Sequence, residues 1–183
     1  MLGGVVAVIV AVGAALLGRE LVTSDDSSEG KSSPQTPPGF VEFRAPRTGF
    51  RIAYPRRWSL IRSRDAEVEF LAAGRGGASA LVRVVPFRFQ GLPAAKRVTD
   101  RIVRAGRGVR VLARPRVTRL GGLPGFLYIY AFRDAATRRR GAHAHYFLFR
   151  SNRMVTLVFQ ALPANRFGRL APLFDRIAGT FRA

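Results

Sequence analysis

The chain has no cysteine in its 183 residues. That absence removes a disulfide framework, a thiol nucleophile and any thiolate zinc or iron–sulfur site. It also excludes a lipid-modified cysteine of the bacterial lipoprotein kind behind the apolar N-terminus. Histidine is nearly as scarce, with only His143 and His145. Acidic residues number 11 against 31 lysines and arginines, and Lys31 and Lys96 are the only lysines, so the formal charge of +20 is almost entirely guanidinium. So few carboxylates leave little material for acid–base pairs. Glu67 and Glu69 occupy alternating strand positions beside a glycine-rich turn and read as a solvated strand face. Ser59, Ser63, Ser79 and Ser151 lie outside any nucleophile-elbow sequence. Gly74–Gly77 and Gly121–Gly122 lack the spacing and the following Lys-Ser/Thr of a phosphate loop, and read as turns.

Charge is also missing from the first 18 residues. As a helix this run spans about 27 Å, close to the hydrocarbon thickness of a bilayer. We read residues 1–22 as an uncleaved membrane anchor, with a secretory signal ending among Ala11–Ala15 as the alternative. No basic residue precedes the run, so its orientation is set by the segment on its C-terminal side. Residues 23–38 are rich in Ser, Asp and Pro and read as a solvated tether that places the remainder outside the cytoplasm. Gly3, Ala7, Ala11 and Ala15 form a four-residue stripe of the kind that lets two membrane helices approach, though Gly and Ala are frequent enough here to produce it by chance.

Residues 39–183 carry the pattern of one folded domain. Phe50–Tyr54 and Trp58–Ile61 flank a Pro-Arg-Arg turn, and Glu67–Ala73 and Ala80–Pro86 flank the glycines of a hairpin. Leu92, Ala95, Val98, Ile102 and Ala105 then recur at helical spacing. A strand is expected over Val109–Val117, followed by three strongly apolar ones at Gly125–Phe132, His143–Phe149 and Met154–Ala161. In the first of these three, Phe126, Tyr128, Tyr130 and Phe132 share one face while Leu127, Ile129 and Ala131 share the other. Strands apolar on both faces call for a layer on each side of the sheet. Phe167, Leu170, Phe174, Ile177, Ala178 and Phe181 supply an amphipathic helix, expected to begin near Pro172 after a short turn at Asn165–Leu170. The fold class is therefore α+β, an antiparallel sheet with helices packed on both faces.

The run Gly49-Phe50-Arg51-Ile52-Ala53-Tyr54-Pro55-Arg56-Arg57-Trp58 resembles the opening of PsbP-like domains, where a short strand ends in Tyr-Pro, turns and resumes with Trp. Phe167, Leu170, Phe174, Ile177, Thr180 and Phe181 are similar to their closing helix. The resemblance spans residues 39–183 and implies an α/β/α sandwich without catalytic residues, acting as an extrinsic or accessory binding protein at a membrane. Photosynthetic members associate with a water-oxidising complex, but no residue set here matches that role.

The arginines are spread through nearly every segment, the pattern of solvated faces. Three groups nevertheless stand out as contacts for phosphate or carboxylate: Arg138, Arg139 and Arg140 between two central strands, Arg56 and Arg57 before Trp58, and Arg104 with Arg107 at a helix end. The partners they suit are anionic lipid or a cell-wall polymer, beside a protein partner in the envelope; nucleic acid is disfavoured because no nucleic-acid fold signature is present. His143 and His145 fall two apart on one strand face, and the nearest carboxylate in sequence is Asp134. They form a weak metal or enzymatic candidate, and are read chiefly as polar residues near a strand end. Trp58 is read as a core anchor in preference to a ligand groove. No cofactor is expected.

Overall fold

The computed structural model describes residues 36–106 and 108–183. The expected anchor with its small-residue stripe, most of the expected tether, and Arg107 lie outside the described residues. No helix among the described residues is long and apolar enough to cross a membrane.

Alternating apolar and aromatic side chains form strands, and apolar residues spaced at three and four form helices. In chain order the elements are β1 (Phe40–Arg44), β2 (Arg51–Pro55), β3 (Ser59–Leu60), β4 (Val68–Gly74), β5 (Ala78–Pro86), α1 (Leu92–Arg104), β6 (Arg110–Leu120), β7 (Leu123–Arg133), β8 (Arg140–Arg150), β9 (Arg153–Ala161) and α2 (Phe167–Gly179). Strands β3 to β9 form one antiparallel seven-stranded sheet in the order β3-β4-β5-β9-β8-β7-β6, while β1 and β2 pair separately.

The sheet register sorts the side chains into two faces. Tyr128 stands opposite His145, and His145 opposite Val158, so these share one face. Ile129, Ala144 and Phe159 form the adjacent row on the other. Helix α1 lies on the Tyr128 face, where Thr99 Oγ1 is 2.8 Å from the Tyr128 hydroxyl. Helix α2 lies on the Phe159 face, where Phe174 stacks on Phe159 with ring centroids 5.4 Å apart. The β1–β2 ribbon joins α2 there through Tyr54 and Phe43, which both meet Phe70 of β4. Helices thus cover opposite faces as the apolar central strands require, with a ribbon sharing one face that sequence reasoning did not anticipate. Burying a side chain such as Phe159 or Phe174 fully contributes about 1.5–3 kcal/mol.

Two expectations are corrected. Strand β1 was not foreseen, because five residues with two charges carry little periodicity of their own. Helix α2 starts at Phe167, and Pro172 lies inside it. The hydrogen bond that proline cannot make belongs to the carbonyl of Gly168, and both residues lie on the solvent face, where water replaces it. The expected short turn is a single 3₁₀ turn at Ala164–Arg166.

Glycine is needed where another side chain occupies the space of its missing Cβ. A methyl at Gly141 would sit 1.7 Å from the ring of Phe132, its cross-strand partner. Gly141→Ala is accordingly expected to cost about 1–3 kcal/mol in chemical denaturation, the range for overpacking. Combining it with Phe132→Leu is expected to give less than the sum of the two single losses.

Candidate functional site

A transverse row of paired residues, Arg110–Ala131–Ala142–Ala161–Ala78–Gly74, marks one end of the sheet. Beyond it lie the β7–β8 turn with Arg133 and Arg140 directly opposite each other, and the β4–β5 turn with Arg75. Arg166 donates from Nη1 to the carbonyl of Gly76 in that second turn. Trp58, half-buried, lays its indole over Gly74 at the same end, as a core anchor does, and so places Arg56 and Arg57 there too. Two of the three arginine groups singled out in the sequence, Arg138–Arg140 and Arg56–Arg57, therefore share an end of the sheet. Four strand spacings separate β8 from β3, about 20 Å.

The β7–β8 turn is built by its one acid. Asp134 Oδ1 accepts from the Thr137 amide at 2.7 Å and from the Thr137 hydroxyl at 2.6 Å. These bonds hold the Asp134 carboxyl below the usual carboxylate range. The Asp134 amide donates to the Arg139 carbonyl, and the Arg138 amide donates back to the Asp134 carbonyl. Arg138 is held at φ 58°, a conformation that glycine adopts without cost. Arg138, Arg139 and Arg140 are exposed, and among the described residues no carboxylate lies within 4 Å of them, or of Arg56, Arg57, Arg75, Arg110, Arg133 or Arg166. Arg104 is in the last turn of α1.

The remaining acids of the domain are mostly engaged. Asp100 takes Lys96 at 2.6 Å and the Tyr128 hydroxyl at 2.8 Å. Burial works to raise its carboxyl, yet the bonds from Lys96 and Tyr128 hold it below its ordinary value. The expectation of a solvated pair at Glu67 and Glu69 is corrected. A register shift between Val68 and Phe70 breaks the alternation. Glu67 bonds Arg83, while Glu69 is turned to Thr48 and Arg47 with its side chain only 4% exposed.

The histidines are also placed differently from the sequence reading. They belong to the packed α1 face in the body of β8, not to a polar strand end. His143 is buried and stacks on Phe132 at 5.5 Å, and His145 stacks on Phe147 at 3.9 Å. The Tyr130 hydroxyl and His145 Nδ1 share a hydrogen bond. Both ring nitrogens of His143, and Nε2 of His145, are buried without an aligned partner. Gln160, opposite His143, favours its charged form without aligning on either nitrogen. Among the described residues no group of three or more His, Cys, Asp or Glu is placed to hold a metal, and Asp134 is committed to its turn.

Among solved structures, that of cyanobacterial PsbP (CyanoP) from Synechocystis superposes with a TM-score of 0.59 at 13% identity, covering 86% of this chain and 98% of that one. The fold is PsbP-like. LpqN, described as involved in cell envelope biogenesis of Mycobacterium tuberculosis, gives a TM-score of 0.59 at 10% identity, covering 78% and 89% of the two chains. No protein-family profile and no curated protein sequence matches the chain. The resemblance read from the Tyr-Pro-Arg-Arg-Trp segment thus describes the architecture, and this PsbP-like domain places that segment at its basic end.

Burial lowers the His143 pKa from 6.5 to about 3, and burial with its neighbour's charge lowers that of His145. A depressed histidine is neutral in the folded state while the unfolded chain takes up a proton, so stability is present above pH 6.5 and is lost as pH falls toward 3. Between about pH 7 and 5, before most carboxylates titrate, His143 is expected to remove about 2 kcal/mol, and His145 acts in the same direction. Urea midpoints across that range test this, and His143→Phe should reduce the slope. Arg138→Gly is expected to stabilise by up to about 1 kcal/mol by relieving the left-handed backbone.

Proposed function

We propose that the chain is a non-catalytic accessory or binding module, tethered to a membrane by its N-terminal segment with the PsbP-like domain on the extracytoplasmic side. Its contact is the basic end of the sheet, centred on Arg138, Arg139 and Arg140 and extended by Arg56 and Arg57. The partner is an anionic envelope surface, either wall polymer or lipid headgroups.

The observation that carries this reading is the β7–β8 turn. Its only carboxylate is used internally, which leaves three successive guanidiniums exposed on a turn fixed by hydrogen bonds. A fixed turn loses little freedom on binding, and guanidinium groups match phosphate and carboxylate geometry. The likeness to LpqN, described as involved in cell envelope biogenesis, supports a place in the envelope by analogy of fold alone. The other reading, a metal or enzymatic centre at His143 and His145, has two imidazoles but no third ligand among the described residues. Metal analysis of the purified chain separates it from the binding role.

The chain in neutral nanodiscs, titrated with soluble polyglycerol phosphate across a salt series, is expected to bind with strong salt dependence. Arg138/Arg139/Arg140→Ala should weaken binding at least tenfold and reduce the log–log salt slope by about two to three, close to one ion released per lost contact. Binding that ignores this variant would make the arginine excess compositional and turn the search to protein partners.

A further inference from the structure

A second group of arginines sits at the other end of the sheet. The segment after α2 returns beside β2, and Arg51 and Arg182 exchange both backbone hydrogen bonds, at 2.8 and 2.9 Å. On the far side of β2, Arg44 of β1 is the register partner of Arg51. Directly paired residues project to the same face, so Arg44, Arg51 and Arg182 form a transverse row of like charge. Such a row is destabilising in itself. Arg176 of α2 faces the same ground and is fixed with its guanidinium 4.9 Å over the ring of Phe40. Arg182 is fixed too, donating from Nη1 to the carbonyls of Gly179 and Phe181.

Arg51, Arg176 and Arg182 line one cleft of about 220 Å³, with Glu42, Ala53 and Thr180. Among the described residues none of the three lies within 4 Å of a carboxylate, although Glu42 is on the same wall. The Thr180 hydroxyl is engaged by the Ala53 amide and the Ile177 carbonyl, so it shapes the cleft and the guanidiniums supply its free donors. Partial negative charge at the end of α2 accounts for one basic neighbour, and Arg182 already satisfies it through the Gly179 carbonyl. Arg176, in the last turn of α2, is placed to complement the same charge, whereas Arg51 lies on β2 and has no such role.

We propose that this cleft is a specific site for a single phosphate monoester or diester, gripped by Arg51 and Arg176 against the fixed Arg182. The volume admits one phosphate with a small alcohol such as glycerol. The site is distinct from the Arg138 turn: Phe181, beside Arg182, packs against Gly121 in the β6–β7 turn, at the opposite end of the sheet. The ligand is a soluble phosphate ester or the headgroup of a phospholipid, and these share the recognised chemistry.

The test uses the full chain in phosphatidylcholine nanodiscs, titrated calorimetrically with glycerol 1-phosphate and, in a second arm, reconstituted with phosphatidylglycerol and followed by the chemical shifts of the arginine Nε–H groups. One-site saturable binding of the free ester supports a soluble ligand, and perturbation of Arg51 and Arg176 only in the lipid arm supports a headgroup. Arg51→Gln with Arg176→Gln is expected to weaken binding about a hundredfold, the loss of two charge-assisted hydrogen bonds. Arg138/Arg139/Arg140→Gln should leave it within about twofold, since the two ends share no partner, which separates this site from the polymer contact proposed above. In phosphate-free buffer Arg51→Gln is expected to keep or raise the thermal midpoint, because it breaks the like-charge row, and to abolish any rise on adding the ester. Arg51→Lys, which keeps the charge, shows by an unchanged midpoint that the site still folds. No saturation in either arm, an unweakened double variant, or an equal loss in the triple variant overturns the proposal.

Discussion

Strands β7, β8 and β9 are apolar on both faces, and that single constraint organises the molecule. A sheet with one wet face would tolerate Tyr128, His145 and Phe147 only with polar neighbours between them, whereas here Ile129, Ala144 and Phe159 fill the reverse side. Two covering layers are therefore required. On the Phe159 side the cover is aromatic, with Phe174 stacked on Phe159 and Phe167 tilted against Phe174. On the other side the cover is partly polar: α1 is held to Tyr128 by Thr99 and Asp100, with Lys96 5.6 Å from the ring centroid. The same sheet has an oily contact on one face and a hydrogen-bonded one on the other.

The central strands and both helices were legible in the sequence because their periodicity is strong and their energy comes from burial, which residue type largely fixes. Strand β2 was legible too, but β1 and its pairing with β2 as a separate ribbon were not, since the ribbon's place is reached only through tertiary packing of Phe43 and Tyr54 on Phe70. The start of α2 was misplaced by a general rule about proline that does not distinguish a solvent-facing position from a buried one. At the basic end, the sequence offered Arg138–Arg140 and Arg56–Arg57 as separate runs. Only the register of β4, β5, β8 and β9 brings them to one end. His143 illustrates the converse limit, because its neighbours Gly141, Ala142 and Ala144 do not reveal that Phe132 will cover it.

Carboxylates here serve as fasteners. Asp134 closes a turn, Asp100 docks α1, and Asp65, Glu67 and Glu69 join the start of β4 to Arg83 and Arg47. The bulk of the guanidinium charge is left uncompensated as a result, and the field around the domain is positive at both ends of the sheet. Such a field hastens encounter with anionic partners and opposes compaction through self-repulsion.

Strand β6 carries the last consequence. It is the long edge strand of the sheet, with Val111 and Val117 exposed at 44% and 69%, which by backbone geometry invites another sheet to add to it. Its sequence opposes that: Pro115 removes a donor, two register shifts break its line, and Arg110, Arg114, Arg116 and Arg119 punctuate it. Two copies meeting edge to edge would bring two rows of guanidinium together, a repulsion that ions screen over about 8–10 Å at physiological strength. The chain's colloidal behaviour is thus tied to salt in a particular sense: the medium that weakens its hold on an anionic surface also removes the barrier between its own edges.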